Sequence, residues 1–226
     1  MNAPPKTLLR VDASARSTRS VTRELGDRFV EEWRSCRPGD RVIVRDVGTA
    51  PPPAVSEEWI AAAFAEERTD QQRQALALSD ELIDEVEQAD LIVLATPMYN
   101  YGMPAALKAW FDQVIRIGRT FSFDLARGDH PLEPTLSGKE LVVLSSVGEF
   151  GFGPGGVNES AGHLIPHIKT ASKYLGVADR VRSIEVEYQE FKDERHAASR
   201  AAATREISKL VLELAGQECT AAGPAR

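Results

Sequence analysis

Three short stretches hold the residues best suited to chemistry. In the first, Ser14, Arg16, Ser20, Val21 and Thr22 bring hydroxyls and a guanidinium group to the start of a helical pattern. Free N–H groups and the dipole of a helix N-terminus attract anions, and hydroxyls add donors, so this stretch suits one phosphate. The second reads Thr96-Pro97-Met98-Tyr99-Asn100-Tyr101-Gly102-Met103-Pro104. A rigid turn of prolines, tyrosines, an amide and exposed backbone suits a flat heteroaromatic ligand better than a metal. The third is Ser146-Val147-Gly148-Glu149-Phe150-Gly151-Phe152, running on into more glycine. Its composition reads as flexible, its glycines let backbone approach a ligand closely, and Phe150 and Phe152 could line a pocket above a ring.

Each stretch also has a plainer reading. Ser20 or Thr22 could simply cap a helix, and Tyr99 and Tyr101 could pack into the core. The first stretch is not a P-loop, because the lysine and glycine spacing is absent, and no G-x-G-x-x-G follows a strand. His163 and His167 are four residues apart, but Pro166 intervenes and no third metal ligand is apparent. Ser145 and Ser146 lack a G-x-S-x-G elbow, and Glu66 and Glu67 read as a solvated helix surface. Asn158 begins a glycosylation triplet read as chance.

The elements around these stretches must bring them together. Residues 8–13, 41–47, 91–95, 141–146 and 181–186 read as strands. Between them, Val21, Leu25, Phe29 and Trp33 form a four-residue stripe, the mark of a helix with one buried face. Further helices are expected at 57–65, 70–88 (stripe Leu78, Leu82, Ile83, Val86), 104–117, 166–175 and 195–214, with Pro104 in the first turn of its helix. Residues 121–130 read as a short extended piece and a surface loop. Strands alternating with helices imply an α/β fold, a five-stranded parallel sheet with helices on both faces. In such a sheet the loops after the first, third and fourth strands lie side by side, and these carry the three stretches.

With 226 residues the chain is expected to form one domain, 1–226, with 216–226 a frayed tail. A net charge of −7 argues against nucleic acid, which demands a basic footprint. No apolar run approaches the roughly 20 residues needed to span a bilayer. The N-terminal residues carry no apolar signal segment, so cytoplasmic residence is expected, with Cys36 and Cys219 as reduced thiols of no special role.

On Ser14 with Ser20-Val21-Thr22, on Phe29-Val30-Glu31-Glu32-Trp33, on Pro97-Met98-Tyr99-Asn100-Tyr101 and on Leu107-Lys108-Ala109-Trp110-Phe111-Asp112, the chain resembles the FMN-dependent NADH:azoreductase/NAD(P)H:quinone oxidoreductase family. The resemblance implies a flavodoxin-like fold and bound FMN, its phosphate in the first loop and its ring edge against Met98, Tyr99, Asn100 and Tyr101. It implies a third contact at Ser146, Val147, Gly148 and Glu149, and a homodimer with both active sites at the subunit interface. NADH or NADPH would be a transient donor, and quinones or azo compounds the acceptors, in a ping-pong cycle. Tyr101, Phe123, Phe150 and Phe152 are the expected substrate pocket, with Trp59 contributed across the dimer. The chain departs from the family's S-R-G-G in that third loop: Val147 stands for the arginine and Glu149 for the second glycine. A positive contact is lost, and an anionic dye would meet a carboxylate. The alternative is an FMN-binding electron carrier with no small substrate.

Overall fold

The computed structural model describes residues 4–216. Its elements run β1 (Thr7–Asp12), α1 (Val21–Cys36), β2 (Arg41–Asp46), α2 (Glu57–Phe64), α3 (Asp70–Gln88), β3 (Leu91–Pro97), α4 (Ala105–Val114), β4 (Phe121–Phe123), β5 (Leu132–Pro134), β6 (Glu140–Ser146), α5 (Leu164–Ser172), β7 (Val181–Val186) and α6 (Glu194–Ala215). Five strands form one sheet in the order β2-β1-β3-β6-β7, and every pairing in it is parallel.

Alternation along the strands decides which face each helix covers. Leu9, Val11, Ile92, Leu94, Leu141 and Val143 pack with α3, α4 and α5. Leu8, Val93, Val142, Leu144, Ile184 and Val186 point the other way and pack with α1 and α6. Both faces are covered, which is why the central strands read as unbroken apolar runs rather than alternating ones. The α1 stripe Val21, Leu25, Phe29 and Trp33 is buried as expected.

Several boundaries differ from expectation. Pro104 precedes α4 as its cap residue, and the helix ends at Val114 rather than at 117. There Thr120 folds back, its Oγ1 accepting from the Arg116 N–H at 2.9 Å and donating to the Val114 carbonyl at 2.9 Å. On α3 it is Leu76, not Leu78, that is fully buried. Ser79 beside it is buried because its hydroxyl donates to the Gln113 carbonyl at 2.6 Å and accepts from Arg116 at 2.8 Å. The segment expected as a lone extended piece is half of an antiparallel hairpin, β4 with β5. Cys36 is disulfide-bonded rather than a reduced thiol. Cys219, and the expected tail from residue 217 on, lie outside the described residues.

Candidate functional site

A parallel sheet presents its ligand-binding loops at the carboxyl ends of its strands, where the order of crossovers reverses. Here β1 and β3 are neighbours at that reversal, and β6 pairs with β3 on the other side. The loops after all three open onto one cavity of about 110 Å³. Ser14, Arg16, Ser20, Val21, Thr22, Pro97, Met98, Tyr99, Ser146 and Gly148 all contribute to its wall.

The first loop supplies the polar end. Ser14, Ser20 and Thr22 are buried, so their hydroxyls serve the cavity or each other rather than bulk water. Ser20 caps α1 by accepting from the Arg23 N–H at 3.4 Å, and its Oγ lies 3.3 Å from the Thr22 hydroxyl. The cap and the cavity wall are therefore the same residue, and the plain helix-cap reading and the ligand reading coexist. Arg16 and Arg19 add positive charge to the wall. Arg19 takes a left-handed backbone conformation (φ 54°), which bends the chain into the helix.

The second loop leaves β3 with the Met98 N–H donating to the Ser146 carbonyl at 3.0 Å. Tyr99 and Gly102 then exchange two backbone hydrogen bonds of 3.1 Å across a two-residue turn. Its central residues, Asn100 and Tyr101, both have positive φ (47° and 66°), as a type I′ turn requires. Two non-glycine residues held there carry strain that the rest of the loop must offset. The turn lifts Tyr99 and Tyr101 out of the core, 38% and 49% exposed. The core-packing reading of these tyrosines is thus set aside. Asn100 and Tyr101 stand outside the cavity wall.

The third loop is held more firmly than its glycines suggest. The Tyr188, Gln189 and Glu190 N–H groups donate to the Glu149, Val147 and Gly148 carbonyls at 2.8, 3.2 and 3.1 Å. The segment after β7 is therefore laced onto the loop after β6. It also brings Gln189 and Glu190 into the cavity wall, two residues absent from the expected set. Gln189 Oε1 accepts from the Ser146 hydroxyl. A Cβ on Gly148 would lie 2.8 Å from Glu190 Cγ, so this crossing needs glycine or a displaced Glu190. Val147 does not reach the cavity because its side chain is buried in the core, and Glu149 points to solvent.

The expected substrate-pocket residues separate. Phe152 lines a second cavity of about 340 Å³, together with Met98, Leu164, Ile165, Lys169 and Glu185. Met98 belongs to both walls. Tyr101 meets Phe152 edge-on at 6.1 Å. Phe150 instead stacks on Tyr188 at 4.7 Å, within a cluster that includes Phe191 and the Arg195 guanidinium. Trp59 donates its indole N–H to Gln113 Oε1 at 2.8 Å, and Phe123 is exposed on the β4–β5 hairpin. In the second cavity the Glu185 carboxyl is pushed above the usual range by burial, even though Ser145 donates to it at 2.9 Å. Among the described residues no His, Cys, Asp and Glu cluster could hold a metal ion.

Sheet order, crossover pattern and a hydroxyl-lined cavity at the strand ends together define a doubly wound domain of the flavodoxin type. The family model described as "Flavodoxin-like fold" matches residues 6–211. Over 217 residues the chain is 52% identical to the FMN-dependent NADH:quinone oxidoreductase 2 of Colwellia psychrerythraea, covering 92% of this chain and 99% of that one. It is 42% identical over 186 residues to the FMN-dependent NAD(P)H:quinone oxidoreductase 1 of Pseudomonas aeruginosa, covering 81% and 87%. An FMN-dependent NADH-azoreductase of Bacillus anthracis, solved in complex with FMN, superposes with a TM-score of 0.80 at 16% identity, covering 96% and 100%, which shows the shared fold. The chain belongs to the flavodoxin-like family of FMN-dependent NADH:quinone oxidoreductases. No helix among the described residues is long and apolar enough to cross a membrane.

Proposed function

We propose that this protein is an FMN-dependent oxidoreductase that moves electrons from NADH or NADPH to quinones, with azo compounds as a second acceptor class. The observation that carries the reading is the convergence of buried Ser14, Ser20 and Thr22 with Arg16 and Arg19 on one cavity at the N-terminus of α1, beside a turn of exposed tyrosines. That donor set fits a phosphate. The cavity matches a phosphate and its immediate linker in size; a tricyclic ring exceeds it and would rest at the rim by Met98, Tyr99 and the 100–101 turn. When bound, FMN supplies the hydride chemistry, and the protein supplies position, electrostatics and exclusion of water.

The chain's own residues divide the remaining work. Ser14, Ser20, Thr22 and the two arginines hold the anionic end. Pro97, Met98, Tyr99, Asn100 and Tyr101 present backbone groups and aromatic faces to the ring edge, and Ser146 and Gly148 approach from the other side. Phe152 and Met98 give an apolar wall suited to a neutral acceptor. Exposed Glu149, with no arginine at Val147, favours quinones over anionic dyes.

With no dinucleotide fingerprint after a strand, the nucleotide and the acceptor take turns at one site. Initial rates with NADH and a quinone, each varied against the other, should give parallel double-reciprocal lines; lines that intersect would overturn the shared-site scheme. The protein acts as one flavodoxin-like domain, resides in the cytoplasm and works as a homodimer. Exposed Ile60, Phe64, Phe123, Leu125 and Leu132 support the dimer, because large apolar side chains outside a core mark contact surfaces. Trp59 and Phe123, away from both cavities of their own subunit, would then serve the partner's site.

A further inference from the structure

The first loop's shape depends on an arginine that does not face the ligand cavity. Arg23 lies in the first turn of α1 and is largely buried. Its Nε donates to the Arg16 carbonyl at 2.8 Å and its Nη2 to the Ser14 carbonyl at 2.8 Å. The same guanidinium grips both carboxylate oxygens of Asp46, the last residue of β2, at 2.8 Å each. Asp12 Oδ2 stands 3.6 Å from it. With its donors spent this way, Arg23 does not reach into the cavity; Arg16 and Arg19 line it instead.

The turn after β2 fixes the loop too. The Gly48 N–H donates to the Asp12 carbonyl at 2.9 Å, and a Cβ on Gly48 would come within 2.0 Å of the Ser14 carbonyl oxygen. Residues 12–16 are thus fixed at Asp12 by the 47–49 turn and at Ser14 and Arg16 by the Arg23–Asp46 pair. A planar guanidinium fork fixes direction as well as charge, and preorganised donors bind more tightly because less ordering remains to be done.

We propose that Arg23, held by Asp46, is the positioning residue of the phosphate loop, setting the shape of backbone 14–16 that aims its hydroxyls and N–H groups at a bound phosphate. This rests on the FMN reading above. Positioning and bulk charge predict opposite signs at Asp46. Neutralising a carboxylate near an anion site tightens FMN if only the field matters, and loosens it if Asp46 holds the clamp in place.

The test is fluorescence titration of wild type, Arg23→Lys and Asp46→Asn with FMN and with riboflavin, which lacks the phosphate, each accompanied by a thermal melt. Both substitutions should raise the FMN dissociation constant about tenfold and change the riboflavin constant by less than about twofold, so that phosphate discrimination is lost. Unchanged or tighter FMN binding in either variant overturns the proposal, as do parallel losses for FMN and riboflavin, which are what a general loss of structure would produce. A wild type that binds neither flavin removes the FMN reading itself, and the clamp with it; the wild-type titration separates the two failures.

Discussion

Glu185 and Asp46 show how the same side-chain chemistry is pushed in opposite directions by its surroundings. Burial raises the Glu185 carboxyl above its ordinary range, so the folded protein holds that proton more tightly than the unfolded chain. Its contribution to stability is complete below the unfolded value near 4.5 and is lost as pH rises through the folded value. Asp46 is held at about 2 by the hydrogen bonds from Arg23, so its contribution is present above the ordinary 3.8 and is lost as pH falls toward 2. Glu185→Gln keeps an acceptor for Ser145 without the charge. Thermal melts should therefore show the variant gaining on wild type as pH rises above about 4.5; a difference independent of pH would contradict the assignment. Ser14, Ser20, Thr22 and Met98 are legible as candidates for the cavity wall, which they do line, because hydroxyls before a helix and a proline-bounded turn after a strand are local signals. Gln189 and Glu190 were not. They follow β7 with no motif, and reach the cavity only because parallel pairing of β7 with β6 brings the two following segments together.

At the scale of elements, the four-residue stripe of α1 and the apolar runs of β3 and β6 could be read directly, since a helix or strand with one possible core face repeats its pattern in sequence. The β4–β5 hairpin could not. Its strands have three residues each, and β5 is Leu132-Glu133-Pro134, which shows no alternation. The turn after β3 is legible, but its tip is not, for a related reason: positive φ at Asn100 and Tyr101 falls on residues other than glycine, so composition does not announce which two residues make it. The α4 helix shows what such elements contribute to the site. Trp110 and Phe111 meet edge-to-face at 5.0 Å, both in the core beneath the loop that follows β3. Trp110→Ala should cost about 3–5 kcal/mol of stability in denaturant titration, the range for emptying a buried aromatic position. A loss below about 1 kcal/mol would mean that this face of the sheet does not depend on α4 packing.

For the whole molecule, the strand order β2-β1-β3-β6-β7 decides the function, because it alone brings the loops after β1, β3 and β6 to one place. Strands alternating with helices make the parallel sheet, and the side-by-side placement of these three loops, readable in the sequence. The proposed homodimer rests on surface chemistry instead. Phe64 is 65% exposed on α2, a poor use of a phenylalanine in a lone subunit. Light scattering should give twice the chain mass of 24.7 kDa for the wild type, and Phe64→Asp should shift the population toward single chains. A wild-type mass of one chain would contradict the dimer.

In the proposed reaction the cavity at the strand ends holds FMN that a nicotinamide nucleotide reduces and a quinone reoxidises. Anaerobic titration of the FMN-loaded protein with NADH, then with NADPH in a separate sample, tests it most directly. The flavin's visible absorbance should bleach with at least one nucleotide and return on adding a quinone. Bound FMN that neither nucleotide reduces would contradict the enzyme reading and leave an electron carrier; a protein that takes up no FMN would contradict the site itself.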